Sequence, residues 1–404
     1  TPRDRLAAAE AVFHSHDTHA LPALDRALAK ETDPAVRQGM QQARAAALLF
    51  SDGASVQDRL AAIATVRARG GTDSRSLLAS LSGQPPQLAA AAAAAVTALN
   101  RVLALWNVVQ SIYFGLSLGS VLLLAAAGLA ITFGVMGVIN MAHGEMVMLG
   151  AYTAFVVQQA LRAAAPGLFD VSLLIAIPAA FVVSGLVGIV IEQTLIRWLY
   201  GRPLETLLAT WGLSLVLQQA VRSIFGADNR NVGTPEWMHG ETHLGGLTLT
   251  LNRLYIILFA VAVMAALMAA LRYTPLGLRM RAVTQNRLMA AAMGIRTPWI
   301  DALTFGLGSG VAGMAGVALS QIDNVSPNLG QGYIIDSFMV VVFGGAGNLW
   351  GTILGALSLG VVNKFLEPFA GAVLGKIAVL VMVILFIQRK PRGMFPLRGR
   401  AAEA

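Results

Sequence analysis

The chain has 404 residues, 56% of them hydrophobic and only 12% charged, with a mean hydropathy of +0.66. Soluble domains carry about 25% charged residues, so half that share excludes an ordinary soluble protein and points to the bilayer. The net charge of +8 comes without a basic face interleaved with aromatics, which excludes nucleic acid as a partner; Lys and Arg gathered in cytoplasmic loops account for it.

There is no cysteine, so disulfides, thiolate metal sites and cysteine nucleophiles are removed at the outset. The chain begins at Thr1 and not at Met, so something is expected to have been removed ahead of it, and a cleaved signal peptide and a trimmed sequence would look alike. Up to about Arg101 the sequence is Ala-rich, charged and nearly balanced in sign. Leu21–Lys30 and Pro34–Leu49 repeat apolar residues at helical spacing. Asp33 and Pro34 supply a cap and a first-turn proline. Val56–Arg67 and Ser74–Leu81 form a second pair around the Gly70-Gly71 break, and Pro85-Pro86 opens a third helix through the Ala89–Ala95 run. Paired short helices at a period of roughly 30–45 residues suggest a helical solenoid, and DPAVR (33–37) resembles the second-helix start of a HEAT repeat. A plain bundle of helical hairpins is the alternative. Residues 1–101 are therefore read as a small HEAT-like soluble domain with a binding or docking role.

Residues 102–404 read as a polytopic helix bundle, so the expected fold class is all-α. A span needs about 20 mostly apolar residues. Nine candidates follow: Ile112–Val135, Glu145–Leu161, Val171–Ile191, Leu204–Phe225, Leu254–Tyr273, Ile300–Ile322, Tyr333–Ala346, Thr352–Phe365 and Gly371–Ile387. Arg197 and Arg202, the five arginines of 272–296, and the tail with Arg389, Lys390, Arg392, Arg398 and Arg400 are the basic segments. The positive-inside rule places them in the cytoplasm, and counting back through the spans puts the N-terminal domain outside.

VINMAHGEMVMLGAY (138–152) places Asn140, His143 and Glu145 between apolar runs. Two readings stand open. In one, Asn140 caps the next helix, Glu145 complements its dipole, and His143 sits at an interface. In the other, these groups line the route of a small polar solute, since ionisable residues in spans mark pathways. Thr210 and Gln218 on the fourth span are further pathway candidates; a threonine there also commonly bonds its own helix backbone. The segment RYTPLGLRMRAVTQNRLMAAAMGIR (272–296) contains a fair N-cap, Asn286, and a fair C-terminal cap, Gly294, so Arg287–Met293 reads as a two-turn helix. Alone in water it is too short to persist. Either it is a basic loop that fixes topology, or Leu288, Ala291 and Ala292 fit a partner's groove while the arginines meet acidic groups or lipid phosphates.

Enzymes find little support. His143 and Glu145 form H-x-E but lack the cysteine ligands of zinc deaminases; H-E-x-x-H and G-x-S-x-G are absent. GAVLGKI (371–377) is one residue too short for a phosphate-binding loop and ends in Ile. No metal or cofactor is expected, and any ATP hydrolysis must come from separate chains.

FGVMGVINMAHGEMVMLGAY (133–152), GLRMRAVTQNRLMAAAMGI (277–295) and FGGAGNLWGTILGALSLG (343–360) resemble the LivH-type permeases of ABC importers, over about residues 108–398. That family carries branched-chain amino acids or, in its Urt branch, urea. The N-terminal helices resemble the extension of the urea permeases and tip the expectation to urea. The resemblance implies a second homologous permease subunit, two ATPase subunits, a periplasmic solute-binding protein docking on the outer face, and residence in a bacterial inner membrane among its lipids. It makes 272–296 the coupling segment seated on the ATPase, with Arg279, Arg281, Asn286, Arg287, Leu288 and Gly294 as its residues, although Met289-Ala290-Ala291 stands where the family signature has Glu-Ala-Ala. A passive solute channel and a membrane-anchored scaffold remain the alternatives from other classes.

Overall fold

The computed structural model describes residues 1–51, 53–244 and 246–395; Arg398 and Arg400 of the basic tail lie outside them. Two compact units result, one of residues 1–109 with 245–247, the other of residues 110–244 with 248–404.

The first unit holds α1 (Pro2–Ser15), α2 (Leu21–Leu28), α3 (Pro34–Leu49), α4 (Val56–Arg69), α5 (Gly71–Ala79) and the beginning of α6 (Pro86–Met136). The Asp33 carboxylate accepts from Ala35 N at 2.9 Å and starts α3 where the sequence puts it. Helix α1 lies outside the elements that the sequence predicts. Its weakly patterned sequence hides a capping box between Thr1 and Asp4, and it lies on α3, where Gly39 leaves space for Leu6. Phe13, Leu49, Leu78 and Leu81 are fully buried in the shared core. Positions 101 and 102, where the composition changes, lie within the range of α6.

The second unit continues with α7 (His143–Ala164), α8 (Ser172–Thr194), α9 (Pro203–Phe225), α10 (Leu251–Tyr273), α11 (Pro275–Gln285), α12 (Arg287–Ala292), α13 (Thr297–Leu319), α14 (Leu329–Gly344) and α15 (Leu349–Arg389). The expectation of a purely helical chain needs one correction. Strands β1 (Glu241–Leu244) and β2 (Leu247–Thr250) pair between α9 and α10, and Arg230 bridges Val325. This long connection is held at several points. Gln158 clamps the Gly233 backbone with both amide atoms, at 2.7 and 2.8 Å, and Trp237 Nε1 donates to the Asp170 carbonyl at 2.8 Å.

Each of the nine candidate spans overlaps a helix. By length and hydropathy together, five helical stretches among the described residues can cross a membrane: Pro86–Met136, Pro166–Trp198, Leu251–Tyr273, Thr297–Leu319 and Leu349–Arg389. Helix α15 contains two of the candidates. Gly371 sits at φ 75°, outside helical geometry, three residues after Pro368. A Cβ on Gly375 would lie 3.6 Å from both the Leu366 Cβ and the Asn363 side chain. A straight helix would separate positions 363 and 375 by about 18 Å, so the chain doubles back there. Gly345 and Gly347, both at positive φ, turn the chain between α14 and α15, and Asn348 caps α15 by accepting from Trp350 N at 3.0 Å.

Helix α13 is buried almost throughout and lies against α7 and α8 at near-backbone separation. A Cβ at Gly150 would collide with the Gly313 carbonyl, and one at Gly316 with the carbonyl of Val147. Small residues at crossings are how helices associate in lipid, where burying apolar surface brings no gain. We expect Gly150→Val and Gly316→Val each to cost about 3 kcal/mol or more, and Gly332→Ala, which meets nothing within 4 Å, to be tolerated. Thermal unfolding in detergent with size-exclusion profiles would check this.

Candidate functional site

Helix α9 is polar towards the protein and apolar outwards. Thr206, Thr210, Ser214 and Gln218 are buried at a spacing of four, while Leu204, Leu208, Val216 and Ile224 are exposed. Spacing of four keeps side chains on one face of a helix, so the ladder is a single inward stripe. It faces the start of α7. Glu145 Oε1 accepts from Ser214 Oγ and from Gln218 Nε2, both at 2.8 Å, and Gln218 Nε2 lies 3.2 Å from Ser214 Oγ. One turn away, Thr210 Oγ1 accepts the Met141 N–H at 3.1 Å and donates to the Thr206 carbonyl at 2.8 Å.

The structure thus joins Glu145 to Gln218, and Thr210 to the chain just before α7. Ser214 is the member that sequence reading missed; the period of four from Thr206 to Gln218 was the available signal. The capping expectation needs revision. Asn140 Oδ1 accepts from Ala142 N at 3.0 Å in a turn ahead of the helix, and Ala142, without a side-chain cap, is the cap residue of α7. Glu145 turns its carboxylate to α9 and not to its own helix start. His143 is fully buried, and its Nε2 lies 2.9 Å from the Ala125 carbonyl of α6. A carbonyl only accepts, so Nε2 carries the proton.

Three buried atoms at this place have no hydrogen-bond partner among the described residues: Glu145 Oε2, Asn140 Nδ2 and His143 Nδ1. Buried polar atoms are ordinarily satisfied. An acceptor and a donor left over on neighbouring turns suit a small solute that brings both kinds of group. Asn140, His143, Glu145, Thr210 and Gln218 are all less than 5% exposed, so none of them lines an open channel in this conformation. No group of three or more His, Cys, Asp or Glu able to hold a metal occurs among the described residues.

A second cluster lies around α12. Asn286 Oδ1 accepts from Met289 N at 2.9 Å. At the other end Gly294, at φ 87°, lets Ile295 N reach the Ala290 carbonyl at 3.1 Å and Gly294 N the Ala291 carbonyl at 3.0 Å, a Schellman closure. The arginines do not all face outward. Arg287 forms a forked ion pair with the fully buried Asp301 of α13 and lies 4.9 Å from the Tyr200 ring centroid. Tyr200 in turn donates to Glu192 at 3.0 Å. Arg281 Nη1 donates to the Leu271 carbonyl at 2.6 Å, at the end of α10. Arg279 is exposed and has no ion-pair partner among the described residues. Leu288 is 85% exposed and Met293 78%, with Met289, Ala291 and Ala292 also exposed, whereas Ala290 packs inward.

Residues 111–388 match the family described as "Branched-chain amino acid transport system / permease component". The chain belongs to this permease family. The permease is 30% identical to the high-affinity branched-chain amino acid transport system permease protein BraD of Pseudomonas aeruginosa, over 72% of its own length and 96% of the relative's. It is also 30% identical to the proteins named LivH of Salmonella typhimurium and Escherichia coli K12, in each case over 70% of the permease and 94% of the relative. No solved structure matches it. The matched region contains both the Glu145 cluster and α12, and it begins after the N-terminal helices of the permease.

The Arg287–Asp301 pair gives a direct prediction. Arg287→Met strands a buried carboxylate. The cost is expected at about 2–3 kcal/mol, below the range for fully buried pairs because the guanidinium is half-exposed. Adding Asp301→Leu should recover part of that loss in a double-mutant cycle on unfolding free energy.

Proposed function

We propose that this chain is the membrane-spanning permease subunit of a bacterial ABC importer for branched-chain amino acids. The observation that carries the proposal is the family match over 111–388, which takes in α7, α9 and α12 whole. The chain is not itself an enzyme; ATP hydrolysis belongs to two partner ATPase subunits. A second homologous permease completes the path, and a periplasmic binding protein delivers the solute.

The basic segments around Arg197–Arg202, 272–296 and 389–392 face the cytoplasm of an inner-membrane protein by the positive-inside rule. Residues 1–101 then form a domain on the periplasmic side, and the chain crosses nine times. Leu288 and Met293 on α12 seat in a groove of the ATPase. Arg287, through Asp301, carries a displacement of α12 into α13, which moves α7 because the two helices touch at backbone distance. Glu145 holds its position through Ser214 and Gln218 and takes the ammonium group of an amino acid with its remaining oxygen. Asn140 contributes a donor for the carboxylate, and His143 braces α7 against α6. Thr210 orients the chain that leads into α7.

Urea is the second reading. One observation favours it: residues 1–110 lie outside the family match, and their paired helices resemble the extension of the urea permeases. A urea N–H would meet the same Glu145 oxygen.

The test is coexpression with a homologous permease, the ATPases and the binding protein, reconstitution into vesicles, and uptake of labelled leucine beside labelled urea. Leucine should accumulate only with ATP. Glu145→Gln keeps an acceptor but removes the charge; it should lower leucine uptake at least tenfold in a folded complex. Uptake of urea alone, with a much weaker effect of Glu145→Gln, would replace the amino-acid reading by the urea one. Urea flux without ATP would overturn the importer and leave a passive channel.

A further inference from the structure

A cavity of about 770 Å³ lies among α6, α10, α11 and the start of α15, and neither Glu145 nor its partners Ser214 and Gln218 line it. Ile131 of α6 and Met268 and Leu271 of α10 wall it with apolar surface, and the exposed Arg272, Arg281 and Trp350 line it as well. No acidic side chain lines it. Neither arginine has a carboxylate partner among the described residues: Arg272 lies 5.5 Å from the Tyr273 ring centroid, and Arg281 uses one N–H on the Leu271 carbonyl. A guanidinium has five N–H donors, so most remain for a ligand. Trp350 is 65% exposed, a disposition that indole rings take at the headgroup level of a bilayer.

We propose that this cavity binds one anionic phospholipid, an acyl chain against Ile131, Met268 and Leu271 and the phosphate at Arg272 and Arg281. The volume falls within the roughly 300–1,000 Å³ of ordinary ligand pockets. Basic pockets between membrane helices select acidic headgroups because two cations beside an apolar wall match a lipid's own division into charge and hydrocarbon. A free phosphate would satisfy the arginines and leave the apolar wall uncovered. A zwitterionic lipid would cover the wall but bring its own cation to the arginines.

The experiment is native mass spectrometry of the purified full-length chain, in complex with its partners, titrated with phosphatidylglycerol or phosphatidylcholine. Phosphatidylglycerol should be retained at least tenfold more strongly. Arg272→Gln should abolish the preference, Arg272→Lys should keep most of it, and Arg279→Gln, outside the cavity lining, should leave it unchanged. Thr284→Trp, which adds bulk at the cavity lining with both arginines intact, should weaken retention of the lipid. Equal retention of the two lipids, or retention unaffected by Arg272→Gln and Thr284→Trp, overturns the proposal. Competition by inorganic phosphate as strong as by phosphatidylglycerol would reduce the site to an anion site and overturn it as well. Crosslinking of a second permease chain across Trp350 would make the cavity a subunit interface, with the same consequence.

Discussion

Much of the second unit depends on how closely α13 approaches α7 and α8. Gly313 and Gly316 bring its backbone against Gly150 and Val147 of α7, with Ser184 of α8 on another side. Helices in lipid gain little by hiding apolar surface from one another, so contact distance and shape complementarity decide their association. With no side chain between them, α13 and α7 have almost no play. The pair behaves as one block, and both clusters are fixed to it: Asp301 at one end of α13 holds α12, and Glu145 in the first turn of α7 meets the ladder of α9.

Lipid also explains why polarity is inverted on α9. A carboxylate inside a membrane protein needs hydrogen bonds that water would otherwise supply. Ser214 and Gln218 furnish two of them, and Thr210 serves a backbone amide that precedes a helix without a side-chain cap. Leucines and valines on the opposite face carry no such obligation and are exposed. Read as a surface helix of a soluble protein, the same segment would be assigned the wrong way round.

Much of this architecture was legible in the sequence, for identifiable reasons. Local signals survived well: Asp33-Pro34 starts α3, and Asn286 and Gly294 delimit α12 to within a residue. Hydrophobic runs located every long helix of the membrane unit. The failures came from interactions between segments distant in sequence. Asn140 looks like a helix cap but makes a turn ahead of the helix, and Glu145 looks like a dipole partner but bonds to a residue 73 positions on. Arg287 reads as a surface cation until Asp301, 14 residues away, is brought under it. The β1–β2 pairing is not legible because two four-residue strands inside a turn-rich connection carry too little pattern to register.

The two closures of α12 have a consequence for association. A six-residue helix in isolation would melt, and any partner gripping it would have to impose order as it bound. Here Asn286, the Schellman turn at Gly294 and the Arg287 fork hold the backbone of α12, so a partner docking on it would have only side chains such as Leu288 and Met293 to order. Preorganisation of this kind lowers the entropy lost on docking. A surface so prepared can be engaged and released repeatedly without refolding, as a machine that cycles through attached and detached states would require.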